Sequence, residues 1–342
     1  MSALSAFRDG VRRVNRAPHV LAGMFLMTLM VALPLSLALR GMIEAHLGRS
    51  LAAEPLASGV NYDWWQEFSA QATGLGSTFV PSLIGFGAVL DNLSGLLDNV
   101  PLAATITGAT FAWLVIWSFL SGGVLDRFAR NRPTRTAGFF AACGTHFWRF
   151  LRLGIVGWFV YFFLFRILHG WIFDDAYERL IRDFTVERRA FVVRLAGYAV
   201  FGGVLLLCTM VFDFARVRIV VEDRRSALGA LVAAVRFVRR HFGRVAGLYV
   251  LNGIAFLVLL AAYAFASPGA PRSGLHMLVV LLIGELYILG RHYLKLLFYA
   301  SETALFQGAL AHAEYTAAPV VVWPDSPAVE AITNAGPQAP VR

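Results

Sequence analysis

Three ionisable side chains that lie inside apolar stretches are this chain's best candidates for chemistry. A rise of 1.5 Å per residue places Glu285 about 13 Å and Arg166 about 10 Å from the same end of their helices. We therefore expect them to meet. His292 follows Glu285 by seven residues and lies on the same helical face. Ionised groups inside a membrane are costly and are commonly functional.

Two interpretations of this candidate intramembrane pair stay open. In the first, Glu285, Arg166 and His292 form a relay for protons or substrate. In the second, Glu285 and Arg166 form a structural ion pair that joins two helices. Arg291 and Lys295 are expected to extend their charged ends toward the interface. Asp213 and Arg216 are close enough along the chain to be expected to pair.

Other kinds of site are not indicated. The eight histidines are scattered, and no His-x-x-x-His or Cys-x-x-Cys pattern occurs, so no metal site is predicted. The sequence also contains no Gly-x-Ser-x-Gly and no phosphate-binding loop. We predict no catalytic residues, no cofactor and no enzymatic activity.

The elements that must position these residues are membrane spans. The chain is 58% hydrophobic and 15% charged, with a mean hydropathy of +0.64, which is too apolar for an ordinary soluble domain. Stretches long enough to span a membrane, about 20 residues each, lie at about 20–39, 102–120, 153–173, 191–212, 245–266 and 277–298. The prediction is an all-α polytopic membrane protein with six transmembrane helices and amphipathic interfacial helices.

The chain divides into three parts around this set of spans. A short cytoplasmic segment, 1–19, precedes a single six-span domain, 20–315. The tail, 316–342, contains five prolines, and it is predicted to be disordered.

Arginine alternates between the segments that connect the spans, and this alternation predicts the topology. Segments 1–19, 126–152 and 213–244 are rich in arginine, whereas 41–101 and 174–190 are acidic or balanced. The positive-inside rule then places both termini in the cytoplasm. The rule also accounts for the net charge of +9 without nucleic-acid binding.

Residues 78–97 are nearly apolar enough for a seventh span, but polar residues interrupt them at Asp91, Asn92 and Ser94. A seventh crossing would also move the arginine-rich segment 126–152 outside. A stripe at helical spacing predicts an interfacial helix instead. It consists of Leu83, Phe86, Leu90, Leu93 and Leu97.

The two long basic segments resemble each other. Each contains a Phe-Ala-Arg motif, at 128–130 and 214–216, followed by a basic amphipathic helix that runs into the next span. Ser226 is a predicted N-cap of the second helix. The predicted apolar face of that helix consists of Leu228, Leu231, Val232, Val235, Val238 and Phe242.

Arginines on these two helices are predicted to contact anionic headgroups of the phospholipid bilayer, each contributing about 1 kcal/mol near the surface. The residues are Arg149, Arg152, Arg236, Arg239 and Arg240. The alternative is that these charges only set the topology while the helices pack against the bundle.

The stretch from Asp213 to Ala227, with the basic helix and the span after it, resembles a bacterial six-helix integral membrane family of unknown function. It is also loosely similar to the membrane domain of glycerophosphodiester phosphodiesterases. The likeness covers 213–266 and, more weakly, 126–173. It implies an all-α bacterial inner-membrane protein, and it carries over no active site because the catalytic phosphodiesterase domain is not present.

The leading hypothesis is a non-enzymatic membrane protein that organises lipid or an unknown protein partner. The alternative is a transporter or permease that uses Glu285 and Arg166.

Overall fold

The structure is a computed structural model that describes residues 1–48, 50–58, 61–80, 84–101, 104–267 and 274–312. Within these ranges the chain is helical and contains no strand. The predicted disordered tail, 316–342, lies outside the described residues, as do Leu83 and 102–103 at the start of the second predicted span.

Twelve α-helices can be named along the described ranges. In chain order they are α1 (Ala3–Asn15), α2 (Pro18–Leu47), α3 (Ala53–Ser58), α4 (Tyr62–Gln71), α5 (Phe86–Leu97), α6 (Ala104–Arg130), α7 (Thr136–Phe163), α8 (Tyr177–Ile181), α9 (Glu187–Val221), α10 (Ala227–Arg240), α11 (Phe242–Ala266) and α12 (Leu275–His312).

Six helices are long and apolar enough to cross a membrane, which confirms the predicted all-α, multi-pass fold. They are α2, α6, α7 with its continuation to Ile181, α9, α11 and α12. Each predicted span falls on one of them, apart from the two residues not described. The helices extend beyond the predicted spans, and α12 continues from 298 to His312 because its second half packs inside protein.

The third span is a single helix from Thr136 to Ile181 that contains two π-helical turns. These turns cover Leu164–Leu168 and Trp171–Ala176. A π turn inserts an extra residue into the helix and so rotates the faces on either side of it. Arg166 lies in the first of these turns, where counting at regular α-helical spacing fails.

The main core lies at the arginine-rich end of the bundle, which we call the basic end. There α1 and α10 pack with the adjacent ends of α6, α7, α9, α11 and α12. Phe128, Phe214 and Phe306 are fully buried in this core. The first two belong to the repeated Phe-Ala-Arg motif, so that motif marks equivalent packing positions on α6 and α9.

The N-terminal segment, predicted only as a cytoplasmic extension, forms a helix that docks against α11 and α12. Ser2 and Ser5 form a capping box at its start. Gly10 approaches α12 so closely that a Cβ atom there would lie 2.8 Å from the Cβ of Ser301. The buried Arg13 donates to the carbonyl of Phe128 and to Gln307, both at 2.8 Å.

At the other end of the bundle, α5 forms over the predicted interfacial stripe and leaves Phe86, Leu90 and Leu93 exposed. Asp98 follows α5 and accepts hydrogen bonds from Tyr198 and from Arg194 of α9. The hydrogen bond from Tyr198 is the main cause that lowers the pKa of Asp98. This carboxylate therefore joins α5 to α9.

Candidate functional site

Helix α10 packs on the bundle mainly through alanines. Of the predicted leucine and valine face, Val238 is buried and Leu231 packs partly against the core. Ser226 caps the helix as predicted, accepting a hydrogen bond from the Gly229 amide at 3.1 Å. The buried face consists of Ala227, Ala230, Ala233, Ala234, Phe237 and Val238. Alanine allows the backbones of α9 and α10 to approach closely, whereas Leu228, Val232 and Val235 face outward.

The displaced apolar side chains of α10 are exposed beside arginines. Leu228 is 62% exposed and Val232 is 51% exposed. Arg236, Arg239 and Arg240 are exposed on the same helix. None of these three arginines forms an ion pair with any residue that the structure describes. Exposed apolar residues beside free cations are typical of a helix at an anionic membrane interface.

A cavity of about 660 Å³ opens along α10, between it and the ends of α9 and α12. Its apolar wall includes Leu228 and Val232. Its polar wall is cationic and consists of Arg218, Arg224, Arg236, Arg240 and His241. We call this space the α10 cavity.

Carboxylates neutralise only part of this cationic wall. Glu222 binds Arg218, at 2.7 Å, and also Arg224. Burial raises the pKa of Glu222, but hydrogen bonds from these two arginines outweigh burial and lower it. Arg236 and Arg240 therefore remain as the free cations of the α10 cavity.

The two predicted lipid contacts on α7 differ from each other. Arg149 donates to Asp223 in the turn between α9 and α10, and this hydrogen bond lowers the pKa of Asp223. Arg149 is therefore occupied in joining α7 to that turn. Arg152 is exposed and has no ion pair in the described part of the chain. Only Arg152 extends the free cationic surface.

The structure does not form the predicted intramembrane pair. Glu285 is half-buried on α12, and Arg166 is exposed on the third span. Within the described ranges no ion pair joins them. Arg166 lies in a π turn of the third span, which has few contacts with α12. Similar depth along two helices did not ensure contact.

His292, the third predicted member, lies with Lys295 and Arg291 beside a second cavity. Its Nε2 atom is buried and has no hydrogen-bond partner among the described residues. Contrary to the prediction, Lys295 does not extend to the interface. Its Nζ atom lies 3.7 Å from the ring centroid of Trp117, a cation–π contact that holds it inside the bundle.

A polar network crosses the bundle beside Lys295. The sequence predicted only part of it, the pair of Asp213 and Arg216. Asp213 accepts from Arg216 at 2.9 Å, as predicted, and from the Tyr249 hydroxyl at 2.9 Å. The Tyr299 hydroxyl accepts from Trp117 at 3.1 Å and from Arg216 at 3.4 Å. The network therefore links α6, α9, α11 and α12.

Glu302 is the residue that sequence reasoning missed. It is fully buried on α12, and neither of its carboxylate oxygens makes a hydrogen bond to a described residue. Asp213, Arg216 and Tyr249 are its electrostatic neighbours. The signal that could have revealed it is the run of small and apolar residues around 297–310, which continues the helix beyond the predicted span.

The described residues contain no cluster of three His, Cys, Asp or Glu side chains able to hold a metal ion.

No protein family, curated protein or solved structure matches this chain. The fold and its charges define a multi-pass helical membrane protein with a basic end. The likeness to the phosphodiesterase membrane domain and to six-helix bacterial families stays a prediction.

Proposed function

We propose that this chain is a non-enzymatic bacterial inner-membrane protein that binds and organises anionic phospholipids at its basic end. The observation that carries the proposal is the outer surface of α10, where Leu228 and Val232 are exposed beside Arg236, Arg239 and Arg240. Apolar side chains enter the acyl boundary while arginines bind phosphates.

The shape of this surface favours the binding of one lipid phosphate at a defined site over diffuse attraction to a layer of anionic headgroups. The α10 cavity encloses Arg236 and Arg240 beside Leu228 and Val232, so a headgroup and the first part of an acyl chain can occupy it together. Glu222 neutralises the deeper arginines, and a phosphate is attracted mainly to the outer pair.

The proposed orientation places the basic end in the cytoplasm. The arginine-rich ends of α6, α7, α9, α10 and α11 all lie there with α1, and the positive-inside rule assigns such an end to the cytoplasmic side. Anionic phospholipids at that leaflet then meet α10 directly.

The test uses the full-length protein in dodecyl maltoside with added phosphatidylglycerol or phosphatidylcholine. Phosphatidylglycerol should raise the thermal midpoint of the wild type, because a ligand that binds only the folded state stabilises it. Replacing Arg236, Arg239 and Arg240 with Gln should weaken the apparent affinity at least about tenfold, since each arginine contributes about 1 kcal/mol. Added salt should weaken it further.

The matched control replaces three exposed arginines at the opposite end of the bundle, Arg182, Arg188 and Arg189, with Gln. This variant should keep the wild-type response. Equal stabilisation by the two lipids at low salt, or an unchanged response in the α10 variant, would show that the α10 arginines do not bind lipid.

A further inference from the structure

A second cavity lies inside the bundle among the spans, away from α10. Its volume is about 510 Å³, and residues of α2, α6, α11 and α12 line it. The wall consists of Thr28, Trp113, Phe256, Ile288, Arg291, His292, Leu294, Lys295 and Phe298. We call it the α12 cavity, because most of its polar groups come from that helix.

The polar wall of the α12 cavity carries positive charge and no carboxylate among its described residues. Arg291 and Lys295 are four residues apart on one helix, an arrangement of like charges that destabilises a helix. Neither forms an ion pair within the described ranges. His292, between them, leaves Nε2 buried without a partner.

Among the described residues, no carboxylate forms an ion pair with either cation. Asp213 acts on Lys295 electrostatically, but its two oxygens already accept from Arg216 and Tyr249. The Lys295 ammonium instead rests on the face of Trp117. Lys295 is half-buried without a carboxylate partner among the described residues, so a bound anion would stabilise the folded protein.

The remaining wall is apolar and aromatic, and it extends from the cations toward α2 and α11. Trp113, Phe256 and Ile288 form much of it. The Thr28 hydroxyl already donates to the Met24 carbonyl at 3.0 Å, so it adds little polarity. A volume of this size is typical of a small-molecule site. The wall suits an acyl chain, whereas a free hydrated anion has no partners along it.

From this arrangement we infer that the α12 cavity binds an anionic phospholipid, with its phosphate at Arg291, His292 and Lys295 and an acyl chain along the apolar wall. This site is separate from the α10 cavity. It does not depend on the proposed function, because none of its residues lies on α10.

The experiment starts from the full-length protein in which Arg236, Arg239 and Arg240 are already Gln, so that the α10 cavity no longer contributes. Thermal midpoints are measured in dodecyl maltoside with phosphatidylglycerol, phosphatidylcholine or inorganic phosphate. Phosphatidylglycerol should stabilise this protein, and the other two should not. Adding Arg291→Gln should weaken the apparent phosphatidylglycerol affinity at least tenfold.

Arg291 is exposed, so its replacement leaves the packing intact. A second variant, Lys295→Arg, keeps the positive charge and should keep the affinity for phosphatidylglycerol. Arg244→Gln is the matched control, since Arg244 is exposed and outside both cavities. Unchanged affinity in the Arg291 variant would overturn the inference. Equal stabilisation by phosphatidylcholine would also overturn it, because the site would then not select an anionic lipid. Equal stabilisation by inorganic phosphate would overturn it as well, because the site would then not require a lipid.

Discussion

At the scale of single residues, the arginines of the basic end fall into two groups. Arg13, Arg149 and Arg218 each bind a carboxylate and have structural roles in packing α1, α7 and α9. Arg236 and Arg240 have no such partner among the residues that the structure describes. Net charge alone therefore overstates the surface available to an anionic ligand, and the unpaired arginines measure it better.

The separation of Glu285 from Arg166 gives a residue-scale prediction. Because the two side chains form no ion pair, Glu285→Gln and Arg166→Leu should change the thermal midpoint in detergent additively. A double-mutant cycle measures this directly, and its coupling energy should be close to zero.

The positive control for that cycle is the observed pair of Asp213 and Arg216, at 2.9 Å. The cycle of Asp213→Asn with Arg216→Leu should show clear coupling, since either single change leaves a charge without its partner. A coupling as large for Glu285 and Arg166 would restore the predicted intramembrane pair.

Sequence reasoning found the charged pair that is local and missed the group that is not. Asp213 and Arg216 are three residues apart on one helix, so helical geometry alone brings them together. Glu302 meets Asp213 and Arg216 only because α12 packs against α9. No local pattern reports such a contact, and Glu302 also lies beyond the apolar stretch that predicted the span.

At the scale of elements, hydrophobicity identified α10 and predicted its packing face in part, since Val238 is buried but Leu228 and Val232 are exposed. Leucine and valine rank above alanine in hydrophobicity, which favoured Leu228 and Val232 as buried residues. In the structure, close approach of the helices selects alanine at the contact. Leu228 and Val232 therefore remain exposed and can enter the acyl region of a lipid layer. This is the basis of the proposed lipid surface.

The docking of α1 depends on a glycine, which gives an element-scale prediction. A Cβ atom at Gly10 would lie within 3 Å of the backbone and Cβ of Ser301, so α1 or α12 would have to shift to accommodate it. Gly10→Ala should therefore lower the thermal midpoint despite the better helix propensity of alanine. Circular dichroism in detergent measures the change.

Gly243 provides the matched control, because its Cβ position is open. Gly243→Ala should leave the midpoint unchanged or raise it slightly. If both substitutions had the same effect, α1 would not be packed against α12 as described.

At the scale of the whole molecule, the proposed orientation can be tested by cysteine accessibility. Cys143 and Cys208 are first replaced, and single cysteines are introduced at positions 180 and 225, which lie at opposite ends of the bundle. A membrane-impermeant maleimide added to intact spheroplasts should label position 180 and not position 225. Permeabilised cells should label both, and labelling of position 225 in intact spheroplasts would reverse the proposed topology.

The contact between α1 and α12 has a consequence for biosynthesis. The ribosome makes residues 3–15 before residues 242–312, which form α11 and α12 and supply most of the contacts of α1. At about 5–20 residues per second the interval is on the order of ten to sixty seconds. During that time the face of α1 that packs on α11 and α12 lacks those partners and is open to chaperones or to the membrane surface. The contact between α1 and α12 can therefore form only after α12 has been made.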